Sequence, residues 1–118
     1  MKIHLRALGF DLTGALRDYV GRRLAYAFGH FDGQVRRVEV MLSDDNGPRG
    51  GRDKRCLVRL VPEGLPAVHV TDRQDDLYVA IDRALDRAAY ALSRRKGRRV
   101  RQAHGRGAPL VPALAGEG

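Results

Sequence analysis

The sequence predicts an α+β fold, a two-layer sandwich in which a four-stranded sheet carries two helices on one face, in the order β-α-β-β-β-α. Three observations predict it. Two segments repeat apolar residues every three or four positions, the period of a helix with one buried stripe, and four shorter segments alternate apolar with polar residues, the period of a strand with one buried face. Three of the strands follow one another through turn-rich connections, which favours antiparallel neighbours. A sheet with one apolar face and two helices with one stripe each can close into a single core. The 118 residues, 43% of them hydrophobic, suffice for one domain with such a core.

Residues 2 to 8 alternate, with Ile3, Leu5 and Ala7 on one side and Lys2, His4 and Arg6 on the other, as in a half-buried strand. Asp11 or Thr13 then caps a helix running to about Phe28. Its inward stripe is Leu12, Leu16, Val20, Leu24 and Ala27, while Arg17, Asp18 and Arg22 face out. Gly29 and the segment Phe31 to Gly33 end it. Val35 to Leu42 alternates again, Val38, Val40 and Leu42 opposite Arg37, Glu39 and Met41. The stretch SDDNGPRGGRD is a loop by composition. It leads to a strand from Arg55 to Val61 with Cys56, Val58 and Leu60 inward, and Pro62 to Pro66 turns the chain into a last strand, Ala67 to Thr71, with Val68 and Val70 inward. From Asp75 to Arg99 a second helix places Leu77, Ile81, Leu85, Ala88 and Leu92 on one face. Asp75 and Asp76 suit its positive N-terminal end. The apolar period stops at Lys96, so residues 1–96 are expected to form the folded domain and residues 97–118 a flexible basic tail.

Charge narrows the function. Lys and Arg number 22 against 14 Asp and Glu, a formal net charge of +8, and such an excess repels itself unless an anionic partner binds. Most of the cations are arginine, whose planar fork suits phosphate and stacks on bases. Arg83, Arg87 and Arg94 share one face of the second helix and can point at a common partner, although arginine rows with acidic neighbours such as Asp82 and Asp86 also occur on helices that are merely solvated. In the long loop Arg49, Arg52, Lys54 and Arg55 make a basic finger toward a phosphate backbone. Its GPRGG lacks the lysine and hydroxyl of a phosphate-binding P-loop, and it joins two strands where that motif opens a helix.

Catalysis finds no support. His4, His30, His69 and His104 lie on separate elements without metal-ligand spacing, so no metal site and no cofactor are expected. The one cysteine, Cys56, falls in an apolar run and reads as a small buried hydrophobe in a reducing compartment. No Ser/His/Asp or Cys/His arrangement can be assembled. No stretch approaches the length of a membrane span, and a cytoplasmic protein that neither enters a membrane nor acts on a small molecule is expected.

Three segments, LTGALRDYVGRRL in the first helix, VRRVEVML in the second strand and DDLYVAIDRALDRAAYALSRRKGR in the second helix, resemble the ribosome hibernation promoting factors, also called ribosome-associated inhibitors or sigma-54 modulation proteins. Asp76, Leu77, Tyr78, Ala80, Ile81 and Asp82 match that family's D-x-Y-x-A-I-D pattern, and the resemblance covers residues 1 to 98. The glycine-rich, basic loop Asn46 to Cys56 departs from the shortest members. The resemblance implies a non-enzymatic factor that enters the small ribosomal subunit, lies across the channel used by mRNA and the anticodon ends of tRNA, and keeps ribosomes inactive in idle or stressed cells. It implies rRNA contacts by basic residues of both helices, here Arg22, Arg23, Arg83, Arg87, Arg94, Arg95 and Lys96. Where the family often has one more basic residue, this chain has Tyr90, which either stacks on a base or covers core. Long members add a dimerising C-terminal domain; residues 97–118 show no strand pattern, so a short form, monomeric off the ribosome, is expected. The competing reading from residues alone is a general double-stranded RNA-binding module, whose α-β-β-β-α order lacks the first strand seen here.

Overall fold

The computed structural model describes residues 1–31, 33–44 and 53–104, with side chains for all of these except 30 and 96–104. Strand β1 (Lys2–Leu8) is followed by helix α1 (Gly14–Phe28), a 3-10 turn (Gly29–Phe31), strands β2 (Val35–Asp44), β3 (Lys54–Pro62) and β4 (Val68–Gln74), and helix α2 (Leu77–His104). The order is the one expected, and the sheet runs β1-β2-β3-β4. Neighbours β2, β3 and β4 are antiparallel, whereas β1 lies parallel to β2. A parallel pair needs a crossover, and α1 supplies it.

The alternation read along each strand becomes rows across the sheet. Leu5, Val40, Val58 and Val70 stand in one row, and Val38, Leu60 and Val68 in the next. Onto this face α1 brings Leu16, Val20, Leu24 and Phe28, and α2 brings Ile81, Leu85, Ala88 and Leu92, all buried in one cluster. Thr13, not Asp11, caps α1, its hydroxyl accepting the Leu16 N–H at 3.1 Å. Asp76 caps α2 by accepting from the Tyr78 N–H at 2.8 Å. Helix α1 ends at Phe28 as expected, but Gly29 keeps helical angles; the left-handed backbone comes at Gly33, φ 86°, after the 3-10 turn.

Three differences from expectation bear on the site. Strand β4 runs three residues past Thr71 to Gln74, which adds Asp72 to the inward-facing row of Cys56. The inward side of β1 is only partly covered, Ile3 remaining 48% exposed, because β1 is an edge strand and α2 packs across β3 and β4 at the far side of the sheet. Helix α2 crosses the expected boundary at Lys96 and continues to His104. Arginine, glutamine and alanine have high helix propensity, and the lone Gly97 costs only about 1 kcal/mol. The remainder of the expected tail, residues 105–118, lies outside the described residues.

Leu85 is fully buried where α2 meets the sheet. Leu85→Ala is expected to lower the unfolding free energy by about 2–5 kcal/mol through loss of apolar burial and a residual cavity. Urea denaturation checks this, and a loss below 1 kcal/mol would mean that the α2 interface relaxes around the gap.

Candidate nucleic-acid interface

Burial of the α2 stripe turns the opposite side of that helix to solvent. Arg83, Arg87, Tyr90 and Arg94 lie within a narrow arc at 100° per residue, so the arginines foreseen there do share one outward face. They are not equally available. The carboxylate of Asp72 on β4, 5% exposed, takes both Arg83 (Nε to Oδ2, 3.4 Å) and Arg87 (Nη1 to Oδ2, 3.1 Å). Gln74 donates to its other oxygen at 2.7 Å, and Arg87 Nη1 also reaches the Thr71 carbonyl at 3.0 Å. About half of each guanidinium side chain remains exposed, so both arginines are held in place yet keep donors on the solvent side. Arg94 lies 5.7 Å from the Tyr90 ring centroid, a cation–π pair on the surface. Tyr90 is 65% exposed and does not cover core.

The remaining candidates divide by position. Arg22 on α1 is exposed. Arg23 bridges the helices, 2.8 Å from Asp82 and 3.3 Å from Asp86, and is mostly buried. Its Nε–H does not point along the line to the Asp82 oxygen, so the contact is an ion pair without an aligned hydrogen bond. Beside it the Tyr19 hydroxyl donates to Asp82 at 2.7 Å, and this bond to a carboxylate raises the phenol pKa above its ordinary value. Arg95 donates to the Pro66 and Ala67 carbonyls at 2.9 and 2.8 Å, tying α2 to the start of β4. The side chain of Lys96 lies outside the described residues.

Two functional features escaped the sequence reading. Asp72 was missed because the expected strand stopped at Thr71. Tyr26, 77% exposed with the Arg23 guanidinium 5.3 Å from its ring centroid, gives α1 an arginine–tyrosine pair like that of α2; its place off the Leu16–Val20–Leu24 stripe was the available signal. The loop's basic finger is only partly described. Lys54 pairs with Asp44 and the buried Asp53, and Arg55 donates to Ser43, while Arg49 and Arg52 lie outside the described residues. Cys56 is buried, its thiol pKa pushed up to about 12 by burial and then by the charge of Asp72, which leaves it protonated and unreactive. Among the described residues no group of His, Cys, Asp or Glu is placed to hold a metal ion, and no helix is long and apolar enough to cross a membrane.

The family model described as sigma 54 modulation protein / S30EA ribosomal protein matches residues 3–100, from β1 into the last turns of α2. The chain belongs to this family. Among solved structures, the sigma-54 modulation/S30EA domain described here is similar to the N-terminal domain of Protein Y from Thermus thermophilus, at 32% identity and a TM-score of 0.65, over 78% of this chain and 96% of that one. A ribosomal subunit interface protein from Coxiella burnetii shares the fold at 18% identity and a TM-score of 0.65, over 79% of this chain and 94% of that one. No curated protein matches.

The Asp72 clasp makes the arginines of this family domain unequal in a way that stability can read. Arg87→Glu sets a carboxylate against the buried Asp72 and is expected to cost about 1–3 kcal/mol, since the buried group loses one of its two arginines and gains a like charge. Arg94→Glu, exposed beside Tyr90, is expected to cost at most about 1 kcal/mol. Adding Asp72→Asn to Arg87→Glu should recover part of the loss; equal melting curves for the two arginine variants would show that Asp72 does not hold Arg87.

Proposed function

We propose that this protein is a non-enzymatic, cytoplasmic hibernation factor that binds the small ribosomal subunit. It lies across the channel for mRNA and the anticodon ends of tRNA and keeps idle ribosomes from translating. The observation that carries the reading is the outward stripe of α2, where the clasped Arg83 and Arg87 and the Tyr90–Arg94 pair present guanidinium donors and an aromatic face on one rigid element. Guanidinium forks match phosphate geometry bidentately, and an exposed tyrosine ring can stack on an unpaired base. Family membership supports the choice of ribosomal RNA as the polyanion. So does the likeness to Protein Y and to a ribosomal subunit interface protein.

In this reading Arg83, Arg87 and Arg94 contact the rRNA backbone together with Arg22 on α1, and Lys96 extends the same basic end of α2. Arg23 and Arg95 act chiefly by fixing α2, one against α1 and the other against β4. Residues 1–96 are the ribosome-binding unit, and the protein is monomeric off the ribosome.

Arg22→Glu combined with Arg94→Glu changes two exposed side chains that hold no buried partner among the described residues. The double variant is expected to stay folded, to lose co-sedimentation with small subunits in a sucrose gradient and to stop inhibiting translation in a cell-free reaction. Parent-like co-sedimentation, or equal affinity of the parent for small subunits and a plain RNA duplex, would overturn the reading. Binding by the parent should also weaken linearly on a log–log plot against salt, with a slope of about 0.7–0.9 per phosphate neutralised. A flat response between low and high salt would remove the electrostatic basis.

A further inference from the structure

The face of the sheet turned away from the helices is uncovered among the described residues, and it is strongly basic. In register across the strands stand Lys2, Arg37 and Val61; then His4, Glu39, Arg59 and His69; then Arg6, Met41, Leu57 and Thr71; then Leu8, Ser43, Arg55 and Arg73. These rows hold Lys2, Arg6, Arg37, Arg55, Arg59 and Arg73 against the one carboxylate of Glu39. Glu39 draws in both Arg37 (3.3 Å) and Arg59 (3.4 Å), which fixes two guanidinium groups over the middle of the sheet. Between them lies a hollow of about 440 Å³ lined by half-buried Met41 and Leu57 and bordered by His4, Arg6 and His69. A second hollow, about 290 Å³, shares Arg37 as a wall and continues past Lys2 to Arg36 and Val61.

We propose that this face is a second RNA-binding surface, distinct from the α2 stripe, and that its ligand is single-stranded RNA laid across β1, β2 and β3. Two adjoining hollows form a track, which suits a polymer better than a single small anion. Histidine rings and guanidinium planes stack on unpaired bases, and an apolar sheet floor receives their faces, whereas a duplex offers mainly phosphates and hides its bases. Glu39, at the centre, would repel the side chains of an acidic peptide, but it accepts hydrogen bonds from base amino groups and ribose hydroxyls. Rows about 7 Å apart along the strands place the cations as a ladder beside such a backbone. By charge, residues 105–118 do not complement this surface, since they contain one acidic residue, Glu117, and one arginine, Arg106.

Fluorescence anisotropy with a short, unstructured, pyrimidine-rich RNA tests the proposal on the full chain. Two variants are compared: Lys2→Glu with Arg6→Glu, both exposed on the edge strand, and Arg59→Glu, which also breaks the Glu39 pair. Each is expected to weaken single-strand binding by about tenfold or more while melting curves show a folded protein, and Arg17→Glu, exposed on α1, should change it by no more than about threefold. Amide shifts on titration should fall on β1 to β3. Parent-like affinity in the folded edge-strand variant, equal binding of a duplex of the same length, equal competition by polyglutamate of matched charge, or shifts confined to α2 would each overturn the proposal. None of these readings depends on small-subunit binding, which sedimentation of the Arg22 and Arg94 variant reports separately.

Discussion

Burial of one apolar stripe of α2 against β3 and β4 is the contact on which the rest of the molecule depends. Ile81, Leu85, Ala88 and Leu92 can all leave water only if the helix lies on the sheet in one rotational setting. That setting decides where every other residue of α2 points. It sends Arg87 and Arg95 toward β4, Asp82 and Asp86 toward Arg23 on α1, and Tyr90 with Arg94 into solvent. The hydrophobic term is non-directional in itself. Direction enters because a helix has one stripe and a sheet has one apolar face.

Charge is then sorted by the same geometry. Three carboxylates are engaged close to home: Asp72 by Arg83 and Arg87, Asp82 by Tyr19 and Arg23, Asp53 by Lys54. Neutralising the buried or half-buried carboxylates locally leaves the excess of arginine on the two outward surfaces, the far side of α2 and the open side of the sheet. A protein with a formal charge of +8 thereby concentrates its positive potential where there is room for a large partner.

What was legible in the sequence was local and periodic. Leu16, Val20 and Leu24 announce α1 by spacing, Val38, Val40 and Leu42 announce β2 by alternation, and the element order follows from counting such segments. The placement of the arginines on one face of α2 was legible for the same reason, since helical geometry fixes it without knowledge of a partner. What was not legible depends on contacts between distant residues. Nothing local says that β1 lies parallel to β2 at the sheet's edge, which leaves Ile3 half exposed. Asp72 meets Arg87 only because β4 and α2 are brought side by side, and Arg23 becomes an interhelical clasp only because α1 and α2 share a face. The end of α2 was misjudged because apolar period was used as the marker of helix, and the residues beyond Lys96 have helix propensity without such a period.

The arginines that leave α2 toward β4 have an effect on the sheet itself. β4 is a terminal strand, and a terminal strand presents unpaired carbonyl groups that a strand from another molecule can join. Here the carbonyls of Pro66 and Ala67, just before the strand, accept from Arg95, and the carbonyl of Thr71 accepts from Arg87. Guanidinium groups thus occupy positions that an incoming chain would need, and any such chain must displace two charged side chains before it can pair. One flank of the sheet is thereby obstructed to strand addition by the same arginines that tie α2 to β4.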